Sequence, residues 1–194
     1  MSDSLSPAVM RYLLRLARAA VTAAAAGRRP PDPAAVPGWE EVRDDPVLRE
    51  PRGAFVTLHR DGRLRGCIGY IQGIKPLLEA VVDNAVAAAV RDPRFLPVTP
   101  DEVPHLQVEV SVLSPLRPVA HWREIEIPRH GVVLRRGPAQ AVFLPQVAAE
   151  QGWDRETTLS HLALKAGLPP DAWREGAEFA VFTADVFAED GPGG

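Results

Sequence analysis

Arg65, Cys67 and Gly69 alternate within the segment Leu64-Arg65-Gly66-Cys67-Ile68-Gly69. A strand turns successive side chains to opposite faces, so an extended segment puts these three on one face. A guanidinium about 7 Å along the strand favours thiolate over thiol at the only cysteine of the chain. Gly69, lacking a side chain, is expected to leave space beside the sulfur for a ligand. Asp61-Gly62 just upstream is a strong two-residue hairpin signal, because its turn needs positive φ at both central positions. Such a turn sets Val56 opposite Cys67, Leu58 opposite Arg65 and Arg60 opposite Arg63. Three arginines then gather at one end of the cysteine face, where they could hold a small anion. Arg65, Gly66 and Gly69 are therefore ligand-binding candidates. A plainer reading stands beside this one. A lone cysteine commonly fills apolar space, glycines mark bulges or close packing, and turn arginines are commonly solvated.

Other groups add less. Glu109 is a carboxylate on an otherwise apolar strand, either a base in a cleft or an ion-pair partner of an arginine such as Arg94. Arg94 is a ligand-binding candidate, or a charge at the end of the preceding helix. Gln146, after Pro145, suits either a substrate hydrogen bond or a structural one. None of the five histidines pairs at metal-ligand spacing, so no metal site is expected, and no cofactor is specified. The phosphate-loop and dinucleotide fingerprints are absent, as is the nucleophile elbow of the hydrolases.

The elements that must position these groups follow from periodicity. Ser6-Pro7 starts a helix with a side-chain cap and a first-turn proline, and Gly27 closes it. Residues 28–38 hold four prolines and read as a mobile surface connection. Strands are expected at 54–59 and 64–71, a helix at 75–91, and an alternating strand at 105–113. A hairpin follows at 131–144, then a helix at 156–166 and one last strand at 179–187. The pattern is α+β, a largely antiparallel sheet flanked by helices. A chain of 194 residues, 46% hydrophobic, fits one domain over 1–194 with a flexible tail at 189–194. A net charge of -3, with no basic stripe, argues against a nucleic-acid partner. One cysteine, arginines interrupting the N-terminal apolar stretch and no long apolar run point to a cytoplasmic protein without a membrane span.

Taken in order, several stretches resemble the AMMECR domain family. They are Leu64-Arg65-Gly66-Cys67-Ile68-Gly69, Asp92-Pro93-Arg94-Phe95, Glu109-Val110-Ser111-Val112-Leu113, His130-Gly131, Leu144-Pro145-Gln146-Val147 and Lys165-Ala166-Gly167-Leu168. The resemblance spans about residues 8–188. It implies a larger and a smaller subdomain with the cysteine motif near the cleft between them. It also implies association with a Memo-like protein and a radical SAM protein, as in the AmmeMemoRadiSam system. His130 gains weight as a catalytic candidate because it falls in one of these stretches. Ala163 stands where relatives often carry a second cysteine, so two-thiol chemistry is not available to this chain alone. The segment Gly137-Pro138-Ala139-Gln140 also departs from the glycine- and serine-rich turn of relatives.

Two readings result. In the first, Cys67 is a nucleophile or redox thiol, Arg65 tunes it, His130 or Glu109 moves protons, and a small anionic molecule is the ligand. In the second, the motif is architecture and the chain is an adaptor for its partners.

Overall fold

The computed structural model describes residues 4–191. In chain order the elements are helices α1 (Pro7–Ala25) and α2 (Trp39–Val42), strands β1 (Ala54–Arg60) and β2 (Arg63–Tyr70), helix α3 (Leu77–Val90), and strands β3 (Leu106–Leu113), β4 (Arg117–Val119), β5 (Gly131–Arg136) and β6 (Ala139–Phe143). Helices α4 (Pro145–Gln151) and α5 (Arg155–Lys165) and strands β7 (Glu178–Phe182) and β8 (Ala184–Ala188) complete the chain. Short 3-10 turns lie at Pro33–Ala35, Pro46–Arg49, Pro100–His105 and Trp122–Glu124. The fold is α+β with two four-stranded antiparallel sheets, ordered β2-β1-β3-β8 and β4-β7-β5-β6. The chain divides into two compact units, one holding the residues up to Leu113 and again from Asp185, the other spanning Ser114–Ala184.

In the first unit, Ser6 caps α1 by accepting the Val9 N–H at 3.3 Å, and Pro7 occupies the first turn, where its missing N–H costs nothing. Gly27, at φ 65°, lets the chain reverse, and the Arg28 N–H bonds back to Ala23 O at 2.8 Å. The helix buries Val9, Tyr12, Leu13, Leu16, Ala17 and Ala20. These pack with α3 and with one face of the sheet, formed by Val56, Leu58, Val108 and Val110. The proline-rich segment 28–38 is docked, contrary to expectation. Tyr12 donates to Pro33 O at 2.8 Å, Arg15 donates to Pro37 O, and Val36 is buried.

The second unit has its own core of Ile125, Val132, Leu134, Leu159, Leu162 and Trp173. Trp122 meets the edge of Trp173 at 4.9 Å between ring centres. Two further expectations need correction. The strand expected over 179–187 breaks at Thr183, so that β7 and β8 enter different sheets. The tail expected from 189 is tied at its start. The Glu189 carboxylate accepts from Arg18 Nε at 2.8 Å and the Val108 N–H at 2.9 Å, and its own N–H donates to Val108 O. Residues 192–194 lie outside the described part. Among the described residues, no helix is long and apolar enough to cross a membrane.

Candidate functional site

The hairpin of β1 and β2 closes at Asp61-Gly62 with positive φ at both residues, and Arg60 pairs with Arg63 as expected. Beyond that the register shifts. His59 pairs with Leu64 but Leu58 pairs with Gly66, so Arg65 is the extra residue of a β-bulge. Cys67 therefore stands opposite Thr57, not Val56. Val56 and Leu58 belong to the buried core face, and the cysteine face carries Phe55 and Thr57 instead. A one-residue slip exchanges every facing side chain, which is why the bulge matters.

Thr57 is also paired with Glu109 on β3. Cys67, Thr57 and Glu109 thus form one row across three strands, on the face away from the core. Neighbouring strands lie about 4.8 Å apart, so the row spans roughly 10 Å of backbone. The Thr57 hydroxyl donates to Cys67 Sγ at 3.3 Å. Cys67 is half-buried. The same face continues through Ser111, opposite Phe55, and through the His59–Gln107 pair. Glu109 is half-exposed and makes no ion pair among the described residues, so the salt bridge to Arg94 is not formed.

The glycines serve close packing. A Cβ on Gly66 would sit 2.3 Å from Ala88 O, so its absence lets the end of α3 close onto β2. A Cβ on Gly69 would meet Ala54 O at 2.3 Å and the Phe55 ring at 2.4 Å. The Phe55 ring, not a ligand cavity, occupies the space over Gly69.

The arginines are engaged as well. Arg65 forms two 3.0 Å bonds to the Glu102 carboxylate, and Arg60 adds a third at 3.0 Å. The Arg65 guanidinium, foremost, holds Glu102 down at about 2 from an ordinary 4.5. Arg63 alone of the three turn arginines makes no ion pair among the described residues.

Arg94 works with Asp92 on the open edge of β2. Asp92, whose side chain is only 2% exposed, accepts the Cys67 N–H at 2.9 Å, while Arg94 donates to Cys67 O at 3.1 Å. Asp92 and Arg94 pair at 2.7 Å. The two side chains satisfy the backbone of Cys67 as a neighbouring strand would. Pairing with Arg94 drives the Asp92 carboxyl far below its usual range, and the Cys67 N–H adds to this. Both guanidiniums, Arg65 and Arg94, lie over the Phe95 ring at 5.9 and 5.5 Å.

His130 and Gln146 belong to the second unit. His130 is 6% exposed, and its Nδ1 accepts the Glu126 N–H at 3.0 Å. That bond requires the neutral ring with its proton on Nε2, and burial lowers its pKa in agreement. Gln146 lies in the first turn of α4, not at a strand end, and is half-buried. Among the described residues, no group of three or more His, Cys, Asp or Glu side chains is arranged to hold a metal.

Three participants escaped the sequence reading. Thr57 was hidden by the bulge. Asp92 stood only within the Asp92-Pro93-Arg94-Phe95 stretch, with no role of its own. Glu102 had a visible signal, the Thr99-x-x-Glu102 spacing of a capping box, which the structure forms.

Fold and site together define an α+β protein whose single thiol lies on a polar sheet face, in a strand pinned by two Arg–carboxylate clusters. The chain belongs to the AMMECR1 family, whose model matches residues 14–187. It is 48% identical over 165 residues to Protein MK0488 of Methanopyrus kandleri, covering 80% of each chain. A protein of Methanosarcina acetivorans is 42% identical over 191 residues, covering 95% of this chain and 93% of that one. Among solved structures, uncharacterized protein PH0010 from Pyrococcus horikoshii superposes with a TM-score of 0.81 at 38% identity, covering 100% of this chain and 97% of that one.

Proposed function

We propose that this chain binds a small polar molecule on the outer face of its first sheet, as an enzyme or as the substrate-holding subunit of one. Its working groups are the Cys67 thiol, the Thr57 hydroxyl and the Glu109 carboxylate. The observation that carries this reading is Glu109. It is a carboxylate in line with the thiol, and no cation of the described chain answers it. Arg60, Arg65 and Arg94 are neutralised by Glu102 and Asp92, so the ligand is one that offers a hydrogen-bond donor or positive charge to Glu109, rather than an anion held by Arg65. Arg65, Gly66, Gly69 and Arg94 act as positioning residues for the strand. A Memo-like protein and a radical SAM protein are its proposed partners in the cytoplasm.

The adaptor reading has one observation in its favour: most of the cysteine motif is used to build the strand. Fractionated cell extract, screened for thermal stabilisation of the native protein, separates the two. A fraction that stabilises the wild type, but neither Glu109→Gln nor Cys67→Ser, supports ligand binding. If no fraction separates them, while all three proteins capture the Memo-like partner equally, the adaptor reading replaces it.

A further inference from the structure

Helix α3 carries more apolar surface than its own unit covers. Residues four apart form rows along a helix. Two adjacent rows are buried, Leu77, Val81, Ala85 and Ala89 in one, and Ala80, Asn84 and Ala88 in the other. The remaining two rows flank these at equal angles, and both should be polar on a helix packed against one core. One of them satisfies that rule. Glu79, Asp83 and Arg91 are exposed, with Ala87 between the last two. The other does not: Leu78, Val82, Val86 and Val90 are all apolar, packed against the core on one side and left half-buried. At its N-terminal end this apolar row opens into a groove walled by Pro31, Pro33 and Leu48.

The charges indicate what fits. From the N-terminal to the C-terminal end, the exposed row runs acid, acid, alanine, base. Asp83 pairs with Lys75. Glu79 and Arg91 make no ion pair among the described residues. A helix whose flanking row is acidic at one end and basic at the other matches its own copy run in the opposite direction.

We propose that α3 is a self-association surface. Two copies pack antiparallel through Leu78, Val82, Val86 and Val90, and Glu79 of each reaches the partner's Arg91. Rows at four-residue spacing interdigitate with a crossing angle near 50°, the commonest helix packing, and this keeps the facing rows aligned along the roughly 21 Å of α3. The contact is two-fold, so every pair is made twice. This inference does not depend on the reading of Cys67.

Sedimentation velocity from micromolar to near-millimolar protein tests it. The wild type should show a monomer–dimer equilibrium that weakens with salt. Val82→Glu should weaken it by roughly ten-fold or more, as should Glu79→Arg and Arg91→Glu singly, because each sets like charges or a buried charge across the contact. Glu79→Arg and Arg91→Glu together in one chain should restore the dimer. Circular dichroism of the dilute variants checks that they fold, and the exposed charge row makes the swaps safe in this respect. A wild type that stays monomeric overturns the proposal. So does a dimer indifferent to Val82→Glu, or one that the double swap fails to restore.

Discussion

Cys67 is held by groups that touch its backbone more closely than its sulfur. Asp92 takes its N–H and Arg94 gives to its carbonyl, so the thiol's position is set by a carboxylate one helix away in sequence. Asp92→Ala leaves that part-buried N–H unpaired and releases Arg94. It should cost about 2 kcal/mol, read by urea unfolding, and should loosen β2 before the rest of the sheet in hydrogen exchange. Glu102 gives the same cluster its acid sensitivity. Its carboxyl titrates near 4.5 in the unfolded chain and about 2 in the fold. Its contribution is therefore complete above pH ~4.5 and is lost as pH falls towards 2, at most about 3 kcal/mol. Asp92, also depressed, loses its share over a similar acid range. Unfolding free energy measured between pH 6 and pH 2 should fall, and Glu102→Gln should flatten part of that fall. An unchanged slope would mean that the Arg65–Glu102 pair contributes nothing.

At the scale of elements, the decisive feature is the bulge at Arg65. It lets Arg65 reach Glu102 while Cys67 turns to the outer face beside Thr57. The hairpin was legible in Asp61-Gly62, and so were α1, α3, α5 and the alternation of β3, because periodicity and turn chemistry are local. The bulge was not legible, since one extra residue leaves no local mark. The expected face was therefore right for Cys67 and Gly69, wrong for the partners Val56 and Leu58, and not kept by Arg65, the unpaired residue of the bulge, which shares Glu102 with Arg60. Gly66 was noted as a sign of a bulge or close packing, and it serves close packing against Ala88. Gly66→Ala should destabilise by about 2 kcal/mol through overpacking, because the obstructing atom is a helix backbone oxygen. Denaturant midpoints should show this, with Gly62→Ala as a contrast, where strain comes from positive φ and not from a neighbour.

On the scale of the whole molecule there are two cores, where length and composition fitted one domain and the family resemblance implied a larger and a smaller subdomain. The seam at Thr183 was invisible because β7 and β8 alternate without a break in pattern, and only their pairing separates them. Glu189 fastens the returning chain to Arg18 and Val108. Glu189→Ala should cost about 2 kcal/mol and expose the amides of β8 to exchange before those of β1. Of the candidate site, Cys67 and Glu109 were identified by residue type, and their alignment came only with the register of three strands. His130 and Gln146 belong to the other unit, where His130 is tied to the turn that it closes.

If the Cys67 thiol works on the outer, polar face of its sheet, it must be reachable in the folded protein although Thr57 beside it is buried. Alkylation of the native protein tests it directly, since no second cysteine can contribute. Labelling should be complete without denaturant, at a rate first order in reagent and altered by Thr57→Val but restored by Thr57→Ser. Labelling that proceeds only at the rate of unfolding, unchanged by Thr57→Val, would contradict it and leave Cys67 as a packing residue.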